Sequence, residues 1–325
     1  MFVQQKKLPS VAEVKCALPL DDQLNNLKLH YDEQLRQNLL TKQKFVVVCG
    51  PCSADDPIAV AEYVSKLKQV ADVCPNLLVV VRIYTTKPRS NGLGYKGLCF
   101  GENCDDITSG IFACRQMMIN CLKVGLPIAD ELLYPELYQY FDDLVSYSFV
   151  GARSSEDSLH RAFASGLETC CGVKNSTDGD VEKLVQSLQA ISLPTVLPFD
   201  SYQMQTNGCK LAHVVLRGGS VDGRYCSNID KQHVATLKQN LQGLRLNDFI
   251  MADLSHANSK KVAQNQIENA KMVIADANVN GVMLESDLSD GLDGDTYGVS
   301  ITDQCLGFED TKDLLLMLND KFTTR

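Results

Sequence analysis

The feature that most constrains this chain is a recurrence. Eight short runs rich in Val, Ile and Leu are each followed by a longer stretch with helical spacing. The runs fall at 45–49, 77–84, 127–132, 149–153, 171–174, 213–217, 249–254 and 281–285. A continuous apolar run bounded by helices is what a parallel strand buried on both faces requires. Eight such units close a (β/α)8 TIM barrel, so an α/β fold with a closed barrel is expected. The length of 325 residues exceeds the roughly 250 of a plain barrel and leaves a two-domain alternative open.

Residues 1–43 place Val11, Val14, Leu18, Leu24, Leu27, Leu35, Leu39 and Leu40 at helical spacing without a strand signal. They predict a helical extension ahead of a catalytic barrel at 44–325. Residues 195–209 carry one more apolar run followed by polar residues, which predicts an inserted hairpin rather than a barrel strand. Residues 87–101 are rich in Pro and Gly and too long for an ordinary βα connection; loops of that kind carry function.

Composition narrows the partners. Lys and Arg number 31 against 40 Asp and Glu, a net charge of −9, which argues against nucleic acid, because phosphate backbones are gripped by clustered cations. No apolar stretch is long enough to span a bilayer, and the opening MFVQQKKLPS has no signal-peptide core. No membrane partner and a cytoplasmic location are therefore expected. Thirteen Cys spread through apolar segments suit reduced, buried thiols better than a disulfide framework.

A charged or coordinating residue follows every run: Cys52, Arg82 with Lys87, Glu131, Arg153, Lys174, Arg217, His256 and Glu285. In a barrel these positions share the carboxyl face, where active sites are built. Singly, each has an ordinary explanation, since strands end where polar residues begin. Arg82, Lys87, Arg89, Arg153, Lys174 and Arg217 converging on one mouth require an anionic ligand to offset their repulsion, and phosphate is the first candidate. Cys52, His256, Glu285 and Asp303 offer sulfur, imidazole and carboxylate donors, a mixture suited to one divalent ion of the Mn, Fe, Co or Zn class.

Cys49-Gly-Pro-Cys52 also has the C-x-x-C spacing of thiol oxidoreductases, following a strand and preceding a helix. A redox function is thus one alternative, although it leaves the cations unexplained. A catalytically silent barrel serving as an interaction protein is another.

The motifs resemble those of the class I 3-deoxy-D-arabino-heptulosonate 7-phosphate (DAHP) synthases. The matching blocks are GPCSADDP (50–57), RIYTTKPRS (82–90), GYKGL (94–98), VGARSSEDSLHRAFASGL (150–167), GVKNSTDG (172–179), HVVLRGG (213–219), DLSHANSKK (253–261), GVMLES (281–286) and SITDQCLGFEDT (300–311). The resemblance implies a (β/α)8 barrel that condenses phosphoenolpyruvate with erythrose 4-phosphate and releases phosphate. It implies metal ligation by Cys52, His256, Glu285 and Asp303. Phosphoenolpyruvate would be held by Arg153 and Arg217 at its phosphate and by Arg82 and Lys174 at its carboxylate. Erythrose 4-phosphate would sit against Lys87, Pro88, Arg89 and Ser90, and Lys96 of GYKGL is counted with the substrate-binding residues. Lys87 is the expected proton donor, Glu131 would orient a water, and Asp253 is a candidate acceptor for the His256 ring. A homodimer or homotetramer is expected. Tyr95 stands where the family commonly has Trp, and Thr86 where a Glu is frequent. The N-terminal arm reads as short and the 195–209 insert as compact, which together imply weak feedback inhibition.

Overall fold

The computed structural model describes residues 1, 3–101 and 105–323. Eight parallel strands form a closed barrel: β1 (Phe45–Gly50), β2 (Leu77–Arg82), β3 (Ile128–Glu131), β4 (Val145–Val150), β5 (Cys170–Lys174), β8 (Ala212–Leu216), β11 (Ile250–Asp253) and β12 (Gly281–Glu285). They follow one another around the ring in chain order, and β1 pairs with β12 to close it. Two small antiparallel ribbons lie outside the ring, β6 (Val196–Phe199) with β7 (Tyr202–Gln205) and β9 (Gly219–Val221) with β10 (Arg224–Cys226). The first is the hairpin expected at 195–209. The second was not expected, because 219–226 is short, polar and holds two Gly.

One strand lies elsewhere than expected. The run placed at 149–153 begins earlier, as β4 at Val145–Val150. Ser146 and Ser148 interrupt its apolar pattern, yet both are buried. Arg153 therefore stands in the turn after the strand rather than at its tip. Likewise β2 stops at Arg82, short of Tyr84.

Helices begin where side-chain oxygens can take up the free amides of a first turn. Asp56 accepts from Ile58 N and Ala59 N ahead of α3 (Pro57–Asp72), and Asp106 accepts from Ser109 N ahead of α4 (Ile107–Val124). Beyond the single turn α5 (Pro135–Tyr138), Asp157, Asp180 and Asp230 do the same for α6 (Ser158–Ala164), α7 (Val181–Ser192) and α8 (Lys231–Gly243). The extension folds as α1 (Val11–Ala17), started by a Ser10/Glu13 capping box, and α2 (Asp22–Thr41). Buried Leu35 and Leu39 seat α2 on the core, and Asn38 bonds both the N–H and the carbonyl of Lys44 just before β1. Arg115 of α4 is fully buried; it donates to Leu18 O and makes a two-pronged pair with Asp143, tying the extension to the barrel wall.

The barrel interior is filled rather than open. Tyr147 stacks on Phe149 with ring centroids 4.6 Å apart, and His213 packs edge-on against Tyr147 and Phe249. Among the described residues no helix is long and apolar enough to cross a membrane.

Candidate active site

Parallel strands in register bring their carboxyl ends to one rim. Gly50 lies opposite Glu285, Arg82 opposite Ala129, Glu131 opposite Phe149, and Lys174 opposite Val215. Gly50 is required there, since a Cβ would lie 2.4 Å from the carbonyl oxygen of Arg82. Above the rim is a cavity of about 400 Å³ lined by Arg82, Lys87, Pro88, Arg89, Ser90, Glu131, Arg153, Lys174, Arg217, His256, Lys261 and Asp303, among others. Cys52 and Glu285 are buried beneath its floor, where Cys52 Sγ lies 2.6 Å from Lys87 Nζ and Glu285 Oε1 lies 2.7 Å from Arg82 Nη2. The structure thus brings the expected residues together with one exception. Lys96 does not line the cavity; its backbone carbonyl accepts the Lys87 N–H at 2.8 Å, which holds the loop in place.

The cations divide by what neutralises them. Arg82 donates to Glu285 Oε1 at 2.7 Å and lies over the Tyr84 ring, 3.9 Å from its centroid. Lys174 pairs with Asp253 at 3.0 Å, and Lys87 and Lys261 reach Asp303 at 3.1 and 3.4 Å. Among the described residues Arg89, Arg153 and Arg217 meet no carboxylate. Arg89 donates to Tyr95 O, Arg153 to Ser90 Oγ at 2.8 Å, and Arg217 to Gly218 O. Burial lowers the Arg217 pKa, with Asp253 opposing and neighbouring Arg153 reinforcing the shift. Cations crowded without a counter-ion form a site for an anion.

The donor set occupies the other half of the floor. Cys52 Sγ lies 3.5 Å from Asp303 Oδ2, and His256 Nε2 lies 3.7 Å from Glu285 Oε1. Asp253 takes the other His256 nitrogen, Nδ1, at 2.9 Å, which leaves Nε2 turned to Glu285. His256 has a left-handed backbone, φ 52°, a conformation non-glycine residues seldom adopt and one that clusters at functional sites. Burial alone would raise Glu285, but His256, Arg82 and Lys87 pull its carboxyl down to about 2. Burial and Glu285 push the Cys52 thiol up to about 11 against Lys87 and Arg82. Burial works against a charge on Lys87, but Cys52, Glu285 and Asp303 hold its pKa above the ordinary value.

Among the described residues no three His, Cys, Asp or Glu side chains stand close enough to hold an ion as they are. The donors stand in two pairs, Cys52 with Asp303 and His256 with Glu285, and the Lys87 ammonium contacts both members of the first, 2.6 Å from Cys52 Sγ and 3.1 Å from Asp303 Oδ2. The set still fits a divalent ion. Neighbouring donors 3.5 and 3.7 Å apart match the edges of a tetrahedron with bonds of about 2.0–2.3 Å, and the floor already attracts a cation.

Cys49 is inert. It faces the core on β1, and burial pushes its thiol up to about 12. A redox C-x-x-C needs a lowered pKa, and here both thiols are raised and unbridged. The oxidoreductase alternative is not supported. Lys261 was missed in the sequence, although it follows His256 within DLSHANSKK.

Residues 37–316 match the model of the DAHP synthetase I family. A Tyr-sensitive phospho-2-dehydro-3-deoxyheptonate aldolase of Salmonella typhimurium is 35% identical over 293 residues, 84% of this chain and 81% of its own. A Phe-sensitive enzyme of the same name from Escherichia coli K12 is 33% identical over 339 residues, 98% of this chain and 95% of its own. A solved structure of phospho-2-dehydro-3-deoxyheptonate aldolase from Francisella tularensis superposes with a TM-score of 0.93 at 31% identity, covering 100% of this chain and 99% of that one.

Proposed function

The chain belongs to the DAHP synthetase I family and its reaction is that of a DAHP synthase, and from this premise we propose how its residues divide the condensation of phosphoenolpyruvate with erythrose 4-phosphate. One observation carries the division: Arg153 and Arg217 are adjacent cations that form no ion pair among the described residues, beside Arg82 and Lys174, which carboxylates already hold in position. The phosphate of phosphoenolpyruvate goes to the first pair and its carboxylate to the second. That places its carbon 3 toward Lys87 and the donor floor. Pro88, Arg89 and Ser90 receive the phosphate end of erythrose 4-phosphate, and the Ser90–Arg153 bond couples the two subsites.

Cys52, His256, Glu285 and Asp303 would hold one divalent ion of the Mn, Fe, Co or Zn class, whose chemistry is to polarise the aldehyde. Cys52 would hold such an ion as the thiolate, its proton having gone to solvent. Lys87, kept protonated by its surroundings, delivers a proton to the aldehyde oxygen as carbon 3 attacks the aldehyde carbon. The cation left at carbon 2 is taken up by water, which Glu131 orients from the cavity wall while accepting its proton. The adduct then releases inorganic phosphate between Arg153 and Arg217. The enzyme is proposed to work in the cytoplasm as a homodimer or homotetramer, without nucleic acid or membrane partners.

The test is phosphate release from phosphoenolpyruvate with and without erythrose 4-phosphate, before and after chelation. Release that requires the aldehyde and the ion supports the reading; release indifferent to both overturns it.

A further inference from the structure

We infer that Asp130, which is outside the rim set, is a positioning residue: its carboxylate fastens Thr85 to the Glu131 backbone and so sets the 87–90 loop against Glu131. This rests on the roles proposed above for Lys87, Arg89, Ser90 and Glu131. Asp130 Oδ1 accepts Thr85 N at 3.1 Å and Glu131 N at 2.7 Å, and Oδ2 accepts the Thr85 hydroxyl at 2.7 Å. The carboxylate is buried, and among the described residues it pairs with no Lys, Arg or His. Burial holds it at about 7 despite three hydrogen bonds. A buried acid without a counter-ion is an expensive way to fill space, which an apolar residue would do more cheaply.

Thr85 is held from its other side too. Its carbonyl accepts the Cys99 N–H at 3.1 Å, and Lys87 N–H reaches Lys96 O at 2.8 Å. Gly97, at φ +105°, presses on it so closely that a Cβ would lie 2.3 Å from Thr85 O. The chain leading into Lys87 is thus clamped between the end of β3 and the returning loop. Beside the clamp is a small pocket of about 20 Å³ lined by Thr85, Thr86, Asp130 and Glu131 among others, and Thr86 Oγ1 has no hydrogen-bond partner among the described residues. Truncating Asp130 cuts the link and widens this pocket, which frees the segment to shift. Phosphoenolpyruvate is spared, because Arg153, Lys174 and Arg217 come from β4, β5 and β8 or the turns after them, and Arg82, although it ends β2, is fastened separately by Glu285 Oε1 at 2.7 Å and Cys52 O at 3.1 Å.

The experiment compares Michaelis constants for the two substrates in Asp130→Ala, Asp130→Asn, Thr85→Val and Thr85→Ser, using the full chain loaded with Mn. Asp130→Ala is expected to raise the constant for erythrose 4-phosphate about tenfold and lower kcat about tenfold, leaving that for phosphoenolpyruvate within about twofold. Asp130→Asn should restore most of both, since its amide oxygen can accept both N–H groups and its nitrogen can donate to Thr85 Oγ. Thr85→Val should repeat the aldehyde effect in smaller measure, Thr85→Ser should reverse it, and combining Thr85→Val with Asp130→Ala should add nothing. An unchanged aldehyde constant, or equal rises for both substrates, overturns the inference. Should Asp130→Ala fail to fold by circular dichroism, the Thr85 pair decides, and identical constants there overturn it. A parent without turnover overturns this inference and the proposed function together; an active parent with indifferent variants overturns this one alone.

Discussion

Lys87 Nζ stands 2.6 Å from Cys52 Sγ and 3.1 Å from Asp303 Oδ2, so the proposed proton donor lies among the proposed metal ligands. Replacing Lys87 by Met keeps an unbranched side chain, one atom shorter, and removes both proton and charge. Turnover should fall by about 10²–10⁴. Metal affinity should hold or rise, because a competing cation has gone. Metal titration beside steady-state kinetics checks both halves, and a Met variant with ordinary turnover removes Lys87 from the chemistry.

Chelation should abolish activity, and Mn or another divalent first-row ion should restore it. His256→Ala removes a proposed ligand outright. Asp253→Asn acts at one remove and is more telling, because the same carboxylate holds His256 Nδ1 and Lys174 Nζ. It should weaken metal binding about 10–100-fold and also raise the Michaelis constant for phosphoenolpyruvate. Loss of metal affinity without that second effect would separate Lys174 from the substrate carboxylate.

Gly151 gives Glu131 its room. A Cβ there would lie 2.0 Å from Glu131 Oε1, so Gly151→Ala must swing that carboxylate off the cavity wall. Turnover should drop about tenfold or more, while urea unfolding shows a loss of no more than about 1–3 kcal/mol. Unfolding as the whole explanation of the lost activity would count against Glu131 as the residue that orients water.

His213 supplies a pH test of the core. It is fully buried against Tyr147, and burial lowers its pKa to about 4. The unfolded chain takes up this proton below about 6.5, so between about 4 and 6.5 the unfolded state binds more protons. The stability His213 contributes is complete above that window and is lost as pH falls through it. His213→Gln titrates in neither state, so its cost in urea should be smaller at about pH 5 than at about pH 7, by about 2 kcal/mol. A cost independent of pH would mean that His213 takes up its proton alike in the folded and unfolded chain, and would remove burial as the source of a lowered pKa.

What could be read in the sequence depended on whether neighbours in the chain carry the signal. Strand β1 is plain because Phe45 through Cys49 is unbroken apolar sequence, and the rim is plain because a charged or coordinating residue follows each such run. Strand β4 was displaced because a buried Ser reads as polar until its surroundings are known. The Asp130–Thr85 link was invisible because its ends lie 45 residues apart. The backbone contact of Lys96 was invisible for a similar reason, since a motif records which side chain is present and not that its carbonyl accepts the Lys87 N–H.

The ring order has a consequence for synthesis. Every barrel strand finds its next neighbour as the chain emerges, except that β1, made first, must wait for β12, made last. Until then the edge of Val46, Val47 and Val48 is unpaired on a nascent chain, and an open apolar edge invites pairing with another copy. Entropy is a minor obstacle to the final closure, since its cost grows only with the logarithm of loop length. The exposure is in time: the barrel is vulnerable for as long as the ribosome takes to reach Glu285, and a transcript cut short before Gly281 yields a sheet with two open edges.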